Sequence, residues 1–430
     1  MKKRIMIDGR NLNLDKGTGV ATYARNLSYC LHGLDYQVEV LYGNHAAPGM
    51  TDLMKEIAFF DTNASDIPRW LRLLRNAQEI LLSPLGYEAT KVPITGLVIK
   101  DTFKSRLPYF DAIYNSPDLF RKAHDLNWLI KMHKVHMTNK PDLMHWTYPL
   151  PLLISKIPNI YTLHDLVPLR LPYTTLDNKR RYFNMVSNIA KTADHIVTVS
   201  ESSKRDIVTL LGVDEERITN SYQSVSIPEI YSNKSPEIVQ REVEGTFGLE
   251  YKNYYLFWGA IEPKKNIGRI IEAYLSSGVK APLVIVGAQA WKSEDELKLL
   301  YDENVRSLFA RSKVIQLSYA PFSLLVSLIK GAKGTIFTSL YEGFGLPVLE
   351  SMLLGTPVIS STTASIPEVA GDAAILVNPY DTRAIADAIR LIDIDEGLRN
   401  SLIEKGFAQA KLFSKDAHKK RLSAVYKKFV

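Results

Sequence analysis

Two glutamates eight positions apart, Glu342 and Glu350, bracket two glycines and a proline in Thr338-Ser-Leu-Tyr-Glu-Gly-Phe-Gly-Leu-Pro-Val-Leu-Glu350. A buried strand ending at Thr338, a glycine turn and Pro347 in the first turn of a helix put Glu342 in the loop. Glu350 then falls about one turn into the helix, and Gly355 and Pro357 end it. Unpaired N–H groups at Phe344, Gly345 and Leu346 can take an anion there, helped by the helix dipole. An ionised carboxylate only accepts hydrogen bonds, so glutamates beside such a nest suit the hydroxyls of a sugar or ribose. A plain glycine turn with a helix-start carboxylate is the competing reading. A second cluster, Lys264-Lys265-Asn266, lies in Gly259-Ala-Ile-Glu-Pro-Lys-Lys-Asn-Ile267, between a strand ending at Trp258 and a helical pattern. A lysine there can neutralise a diphosphate as a point charge, or simply be solvated. His164 and Asp165 close the strand of Tyr161-Thr-Leu-His-Asp-Leu-Val-Pro168 and offer a polar pair, or a satisfied strand-end histidine. Gly17-Thr18-Gly19 lacks the third glycine of a dinucleotide fingerprint, so it is a loop near a ligand or a tight turn with nothing bound.

These residues need strands to carry them. Short apolar runs at Arg4–Asp8, Val38–Tyr42, Leu143–Trp146, Asn159–Leu163 and His195–Val199 alternate with helical patterns. A second series holds Tyr254–Trp258, Leu283–Val286, Val314–Leu317, Thr335–Thr338, Val358–Ser360 and Ile375–Val377. Such alternation predicts parallel sheets with helices on their faces, hence an α/β chain of two doubly wound domains facing a central cleft. The expected divisions are an N-terminal domain over 1–222, a Ser/Pro-rich linker over 223–240, a C-terminal domain over 241–410 and a basic terminal helix over 411–430. Residues 60–140 are less regular, with Arg69, Arg72 and Arg75 beside Trp70, and a patch of His124, Lys131, His133, Lys134 and His136.

With 430 residues, 46% hydrophobic and 23% charged, the composition is that of a globular chain of two or three domains and excludes disordered and fibrous classes. Cys30 is the single cysteine, so neither an intramolecular disulfide nor a cysteine-built metal site is expected, and a reducing compartment such as the cytoplasm fits. The basic start is cut by Asp8, which argues against a signal peptide, and no apolar run is long enough to span a membrane. Nearly all of the net charge of +7 comes from the last twenty residues. Leu422, Val425, Tyr426 and Phe429 form one helical stripe there, with Ser414 as N-cap and Asp416 in the first turn. Lys419, Lys420, Lys427 and Lys428 are left for solvent or for an anionic membrane surface. No nucleic-acid recognition module is present, so nucleic acid is not expected as a partner.

Together these motifs resemble the retaining glycosyltransferases of family 4, which have the GT-B architecture. The resemblance runs through Gly259 to Asn266, Leu283 to Gly287, Ser339 to Glu350, Gly355 to Val358, Ile366 to Ala374 and Asn378 to Asp381. It reaches the first domain at Ile7 to Arg10, Gly17 to Gly19 and His164-Asp165. The wording is similar to bacterial mannosyltransferases of cell-surface polysaccharide, including the O-antigen of lipopolysaccharide. The resemblance implies a nucleotide-sugar donor, GDP-mannose, and a glycan or lipid-linked glycan acceptor, with no cofactor and no essential metal. It implies that Glu350 binds the ribose and Glu342 lies against the donor sugar. Phe344 to Leu346 would contact sugar and diphosphate, and Lys265, with Lys264, the diphosphate. His164 would sit at the transferring sugar, and the Gly17-Thr18-Gly19 loop would approach the phosphates or the acceptor. Where the family often has arginine after Gly259, this chain has Ala260. The terminal helix would cross back onto the first domain. Retention by same-face attack or through a covalent intermediate both remain open. Rivals are a nucleotide-sugar epimerase on the same fold and a non-catalytic polysaccharide-binding protein.

Overall fold

The computed structural model describes residues 2–12, 19–44, 51–52, 56, 83–95, 97, 108–301 and 313–430. Gly17, Thr18 and the Arg69–Arg75 group lie outside them. Apart from the half-buried edge runs Val314–Leu317 and Ile375–Val377, the apolar runs become strands buried on both faces, as parallel sheets require. In chain order the first domain holds β1 (Arg4–Asp8), β2 (Gln37–Tyr42), β3 (Tyr87–Glu88), β4 (Thr90–Lys91), β5 (Ala112–Asn115), β6 (His133–His136), β7 (Leu143–Trp146), β8 (Leu152–Ile154), β9 (Asn159–Thr162), β10 (His195–Thr198) and β11 (Ile218–Asn220). Eight of these form one sheet in the order β11-β10-β9-β7-β1-β2-β5-β4. It is parallel except where β4 runs against β5. A small sheet, β3-β6-β8, lies apart.

The second domain carries β12 (Tyr255–Trp258), β13 (Leu283–Val286), β14 (Val314–Leu317), β15 (Gly334–Phe337), β16 (Val358–Ser361) and β17 (Ile375–Val377). They form a parallel six-stranded sheet in the order β14-β13-β12-β15-β16-β17. In each sheet the winding reverses once, between β1 and β7 in the first domain and between β12 and β15 in the second. Ligands of doubly wound sheets sit outside the strands' carboxyl ends at such reversals.

Two features depart from the sequence reading. The patch of His133, Lys134 and His136 is not an irregular basic cluster. It is β6, whose residues alternate buried and exposed, so His133 points inward and Lys134 and His136 outward. The linker over 223–240 is helical in its second half. Pro236 opens the helix Pro236–Phe247, whose Val239 and Val243 are buried in the second domain's core. Ser and Pro enrich linkers, yet the fixed φ of proline also suits the first helical position.

The terminal helix, Lys415–Tyr426, has Ser414 as N-cap, its side chain accepting from the Ala417 N–H at 3.3 Å. Leu422, Val425 and Tyr426 are buried, and the helix packs on Gly19–Gly33 of the first domain. The Tyr426 hydroxyl reaches His145 Nδ1 at 2.5 Å, and Phe429 lies 5.8 Å from the His195 ring. Among the described residues no helix is long and apolar enough to cross a membrane.

Candidate functional site between the domains

The chain following β12 makes a short turn, Pro263–Lys265, closed by Asn266 at φ 62°. Asn266 is buried, and its side-chain amide donates to the carbonyls of Thr338 (2.9 Å) and Pro379 (2.7 Å). Asn266 is therefore a strut that fixes the two lysines at the end of β15. Lys265 Nζ lies 2.6 Å from Glu342 Oε1, which also accepts from Ser339 Oγ at 2.7 Å. Burial pushes the Glu342 carboxyl up, but Lys265, Lys264 and the Ser339 hydroxyl outweigh it and hold the group below its ordinary value, hence ionised. Lys264 turns the other way, with Nζ 3.4 Å from Glu262. Burial opposes its charge, yet Asp165 across the cleft, Glu262 and Glu342 hold its pKa above the ordinary lysine value.

The helix Leu346–Leu353 begins after Gly345 at φ 108°, where any Cβ would also meet Ile366 Cδ1 at 2.7 Å. Among the described residues nothing accepts the N–H groups of Phe344, Gly345 or Leu346. The loop is anchored by the Phe344 ring, 5.5 Å from that of Phe413 and 6.3 Å from that of Tyr222. Glu350, within this helix, is half-buried, with the Trp258 indole N–H donating to it at 3.2 Å. Burial raises its pKa to about 7, with the indole bond opposing.

From the first domain, His164 donates through Nε2–H to the Thr147 carbonyl at 3.0 Å and stands edge-on to Tyr23 at 4.8 Å. Burial lowers its pKa, against the bond to Thr147 and the charge of Asp165, so the imidazole is neutral. Gly343 fits only because it lacks a side chain: a Cβ there would lie 2.8 Å from Asp165 Oδ2 and 3.0 Å from the His164 carbonyl oxygen. Across the same gap, a Cβ on Gly19 would come to 3.2 Å of Leu346 Cδ1. The structure thus brings His164, Gly19, Lys264, Lys265, Glu342, Phe344, Gly345 and Leu346 to one cleft.

Sequence reasoning missed the residues that close the cleft. The Glu368 carboxylate accepts the N–H groups of Glu201 (2.8 Å) and Ser202 (3.0 Å) at the start of the helix Glu201–Leu211. Ser203 Oγ bridges the carbonyls of His164 (2.8 Å) and Gly343 (3.4 Å), and the Tyr341 hydroxyl bonds Asp206. The one available signal was Glu368 inside the Ile366-Pro-Glu-Val segment. A cavity of about 870 Å³ lies beside these latches, walled by Arg170, Glu201, Tyr222, Thr363 and Glu368, and none of His164, Lys264, Lys265, Glu342, Glu350 or Phe344 to Leu346 lines it. Among the described residues no three His, Cys, Asp or Glu side chains gather so as to hold a metal ion.

Two sequence profiles match this arrangement in chain order: Glycosyltransferase Family 4 over residues 101–223 and Glycosyl transferases group 1 over 241–409. O-antigen chain mannosyltransferase B of Escherichia coli is 30% identical over 67% of this chain and 73% of its own. The chain is a GT-B glycosyltransferase of family 4. O-antigen chain mannosyltransferase RfbU of Salmonella typhimurium is 30% identical over 72% of this chain and 77% of its own. Among solved structures, sucrose-phosphate synthase from Thermosynechococcus elongatus superimposes with TM-score 0.64 at 15% identity, covering 99% of both chains. Anabaena HepE in complex with UDP-glucose does so with TM-score 0.64 at 15% identity and the same coverage. At that identity these two speak for the GT-B fold alone. As a family 4 glycosyltransferase, the chain has its two profiles meeting where its domains do.

Proposed function

We propose that this glycosyltransferase moves a mannosyl unit from GDP-mannose, with retention, onto a lipid-linked glycan of a surface polysaccharide. The observation that carries the transferase chemistry is the Lys265–Glu342 pair at the unpaired N–H groups of Phe344 to Leu346, facing His164. Lys265 and those amides hold the diphosphate and its growing negative charge as the glycosidic bond breaks. Glu342, freed from Lys265 by the phosphates, takes the sugar hydroxyls. Glu350 takes the ribose. Neutral His164 keeps Nδ1 as an acceptor near the transferring sugar, because its other nitrogen is committed to Thr147. The mannosyl donor and polysaccharide acceptor come from what the two O-antigen relatives are named for.

The test is a panel of GDP- and UDP-sugars scored by thermal shift, followed by product analysis with and without EDTA. GDP-mannose should stabilise most, by a few kcal/mol at saturation. Donor alone should stay intact or hydrolyse slowly, and transfer should survive the chelator because Lys265 and the helix start neutralise the phosphates. Conversion of the donor to another nucleotide sugar would mean an epimerase. Loss of transfer in EDTA with rescue by manganese would end the metal-free reading.

A lipid-linked acceptor places the enzyme at an anionic cytoplasmic leaflet. Lys420, Lys427 and Lys428 are exposed at the terminal helix, and each contributes on the order of 1 kcal/mol near such a surface. Replacing the three with Gln should abolish salt-sensitive co-sedimentation with vesicles containing phosphatidylglycerol. Undiminished co-sedimentation at low salt would remove the tail from this role.

A further inference from the structure

The segment Ile7-Asp-Gly-Arg10 carries part of the family resemblance, yet the site described above uses none of its side chains. Asp8 ends β1, Thr147 follows β7 and His164 follows β9, so the three stand at the carboxyl ends of adjacent strands. Register sets Ile7, His145 and Ile160 level just before them.

Asp8 is fully buried. Its carboxylate accepts the Arg10 N–H at 3.2 Å and, on the other oxygen, the Thr147 N–H. Both donors are neutral backbone groups, and among the described residues no cation pairs with it. Burial lifts its pKa to about 6 and those N–H groups oppose the rise, so the group is mostly ionised at neutral pH. A buried charge without a counter-charge is costly. An asparagine or serine could accept an N–H here without that cost, so the charge itself calls for a use. Gly9 keeps the arrangement possible: a Cβ there would meet the Tyr42 ring at 2.5 Å, where the chain turns the Arg10 N–H back to the carboxylate.

The use lies on the far side of the Thr147 peptide. Thr147 is fully buried, and its carbonyl accepts from His164 Nε2 at 3.0 Å. An anion on a peptide N–H polarises the unit and makes the group a stronger link in a chain of hydrogen bonds. A carbonyl only accepts, so this bond requires the proton of a neutral imidazole on Nε2 and leaves Nδ1 as the acceptor. The ring is also held edge-on by Tyr23 at 4.8 Å, whose hydroxyl is fixed to Thr162 Oγ1 at 3.0 Å. The His164 main chain is tied separately, its carbonyl accepting from Ser203 Oγ at 2.8 Å.

We propose that Asp8 is a positioning residue that acts through the Thr147 peptide to hold His164 as the Nε2–H tautomer, with Nδ1 presented as an acceptor. Its consequence for transfer rests on the placement of His164 at the transferring sugar proposed above. Asp8 touches no substrate in this role; it sets which nitrogen of His164 carries the proton and how the ring is turned.

Long-range 1H–15N NMR of the full-length, histidine-labelled protein tests it, with the His164 signals identified by their loss in His164→Gln. Wild type should show a protonated Nε2 and a bare Nδ1. Asp8→Asn, nearly identical in shape, should show the two tautomers mixed. In transfer assays with GDP-mannose, Asp8→Asn should lower kcat about ten-fold with the donor Michaelis constant within about two-fold. In the His164→Ala background it should cost at most about two-fold more, because the two residues act as a unit. A merely structural Asp8 would give losses that multiply. The proposal is overturned by an Nδ1–H tautomer in wild type, which needs no variant, by an unchanged tautomer in Asp8→Asn, or by multiplying losses. Mixed tautomers with wild-type turnover uphold the hold of Asp8 on His164 and sink the placement of His164 at the sugar. Wild type that transfers nothing from GDP-mannose sinks the donor reading, and the tautomers then decide alone.

Discussion

Glu342 and Glu350 share one loop-helix unit yet hold their protons differently. Glu342 meets Lys265 at 2.6 Å and is ionised, whereas Glu350 meets only the Trp258 indole and is raised to about 7. The spacing of the two glutamates was legible because glycine and proline fix where the helix starts. Their difference was not, because it depends on Trp258 and Lys265, which the fold brings in from other segments. The raised value has a stability consequence. Between the ordinary 4.5 and about 7 the native state holds a proton that the unfolded chain releases. The group's contribution is therefore fully present below about 4.5 and is lost as pH rises through 7. Glu350→Gln should remove this decline, gaining up to about 3 kcal/mol relative to wild type in urea unfolding at pH 8 compared with pH 5. On the proposed ribose role, the same variant should bind GDP about ten-fold or more weakly at pH 8, where the carboxylate is ionised and an amide replaces a charged acceptor. Unfolding curves whose pH dependence matches wild type would refute the first claim, and unchanged GDP affinity by calorimetry the second.

At the scale of elements, strands with unbroken apolar runs stood out. The sequence reading of β7, β13, β14 and β17 agrees with the structure to the residue. Strands such as β6 and β8 did not stand out, since three or four residues carry too little pattern to separate from a loop, and in β6 every second residue is polar and exposed. The terminal helix was visible from its apolar stripe, but not what its tyrosine does. Tyr426 bonds His145, His145 bonds Thr162 Oγ1 at 2.8 Å, and Thr162 bonds the Tyr23 hydroxyl at 3.0 Å, beside His164. Burial lowers the pKa of His145 to about 3, so it stays neutral and needs both neighbours. Tyr426→Phe should orphan one ring nitrogen in the core and cost roughly 1–3 kcal/mol of stability. The expected measurement is a lower urea midpoint at unchanged slope, with nucleotide affinity preserved. A midpoint equal to wild type would mean the His145 contact contributes nothing.

Across the whole molecule, two crossings join the domains, the segment 221–235 and the return through Phe413 into the terminal helix. Tyr222 sits where they meet, its ring 5.3 Å from that of Phe413 and 4.8 Å from the Arg421 guanidinium. Two doubly wound domains were legible from alternation, but the closed arrangement was not, because its contacts pair residues far apart in sequence. Glu368 with the start of Glu201–Leu211 is the clearest such contact. A carboxylate on helix N–H groups is a charge-assisted pair favoured by the helix dipole, and it links the domains without touching the donor side. Lys265, Glu350 and the Phe344–Leu346 amides all belong to the second domain, so nucleotide affinity should not depend on closure. Transfer should, because His164, proposed at the transferring sugar, meets the donor side only when the domains close. Glu368→Ala should therefore lower turnover by about ten-fold or more while GDP affinity stays within about two-fold, and Glu368→Gln, which keeps one acceptor oxygen, should fall between. Solution scattering of the Ala variant should show a larger radius of gyration than wild type. If turnover and radius both match wild type, the Glu368 contact is an incidental feature of the closed form and closure is held by Gly343 against Asp165 and by Tyr341 on Asp206.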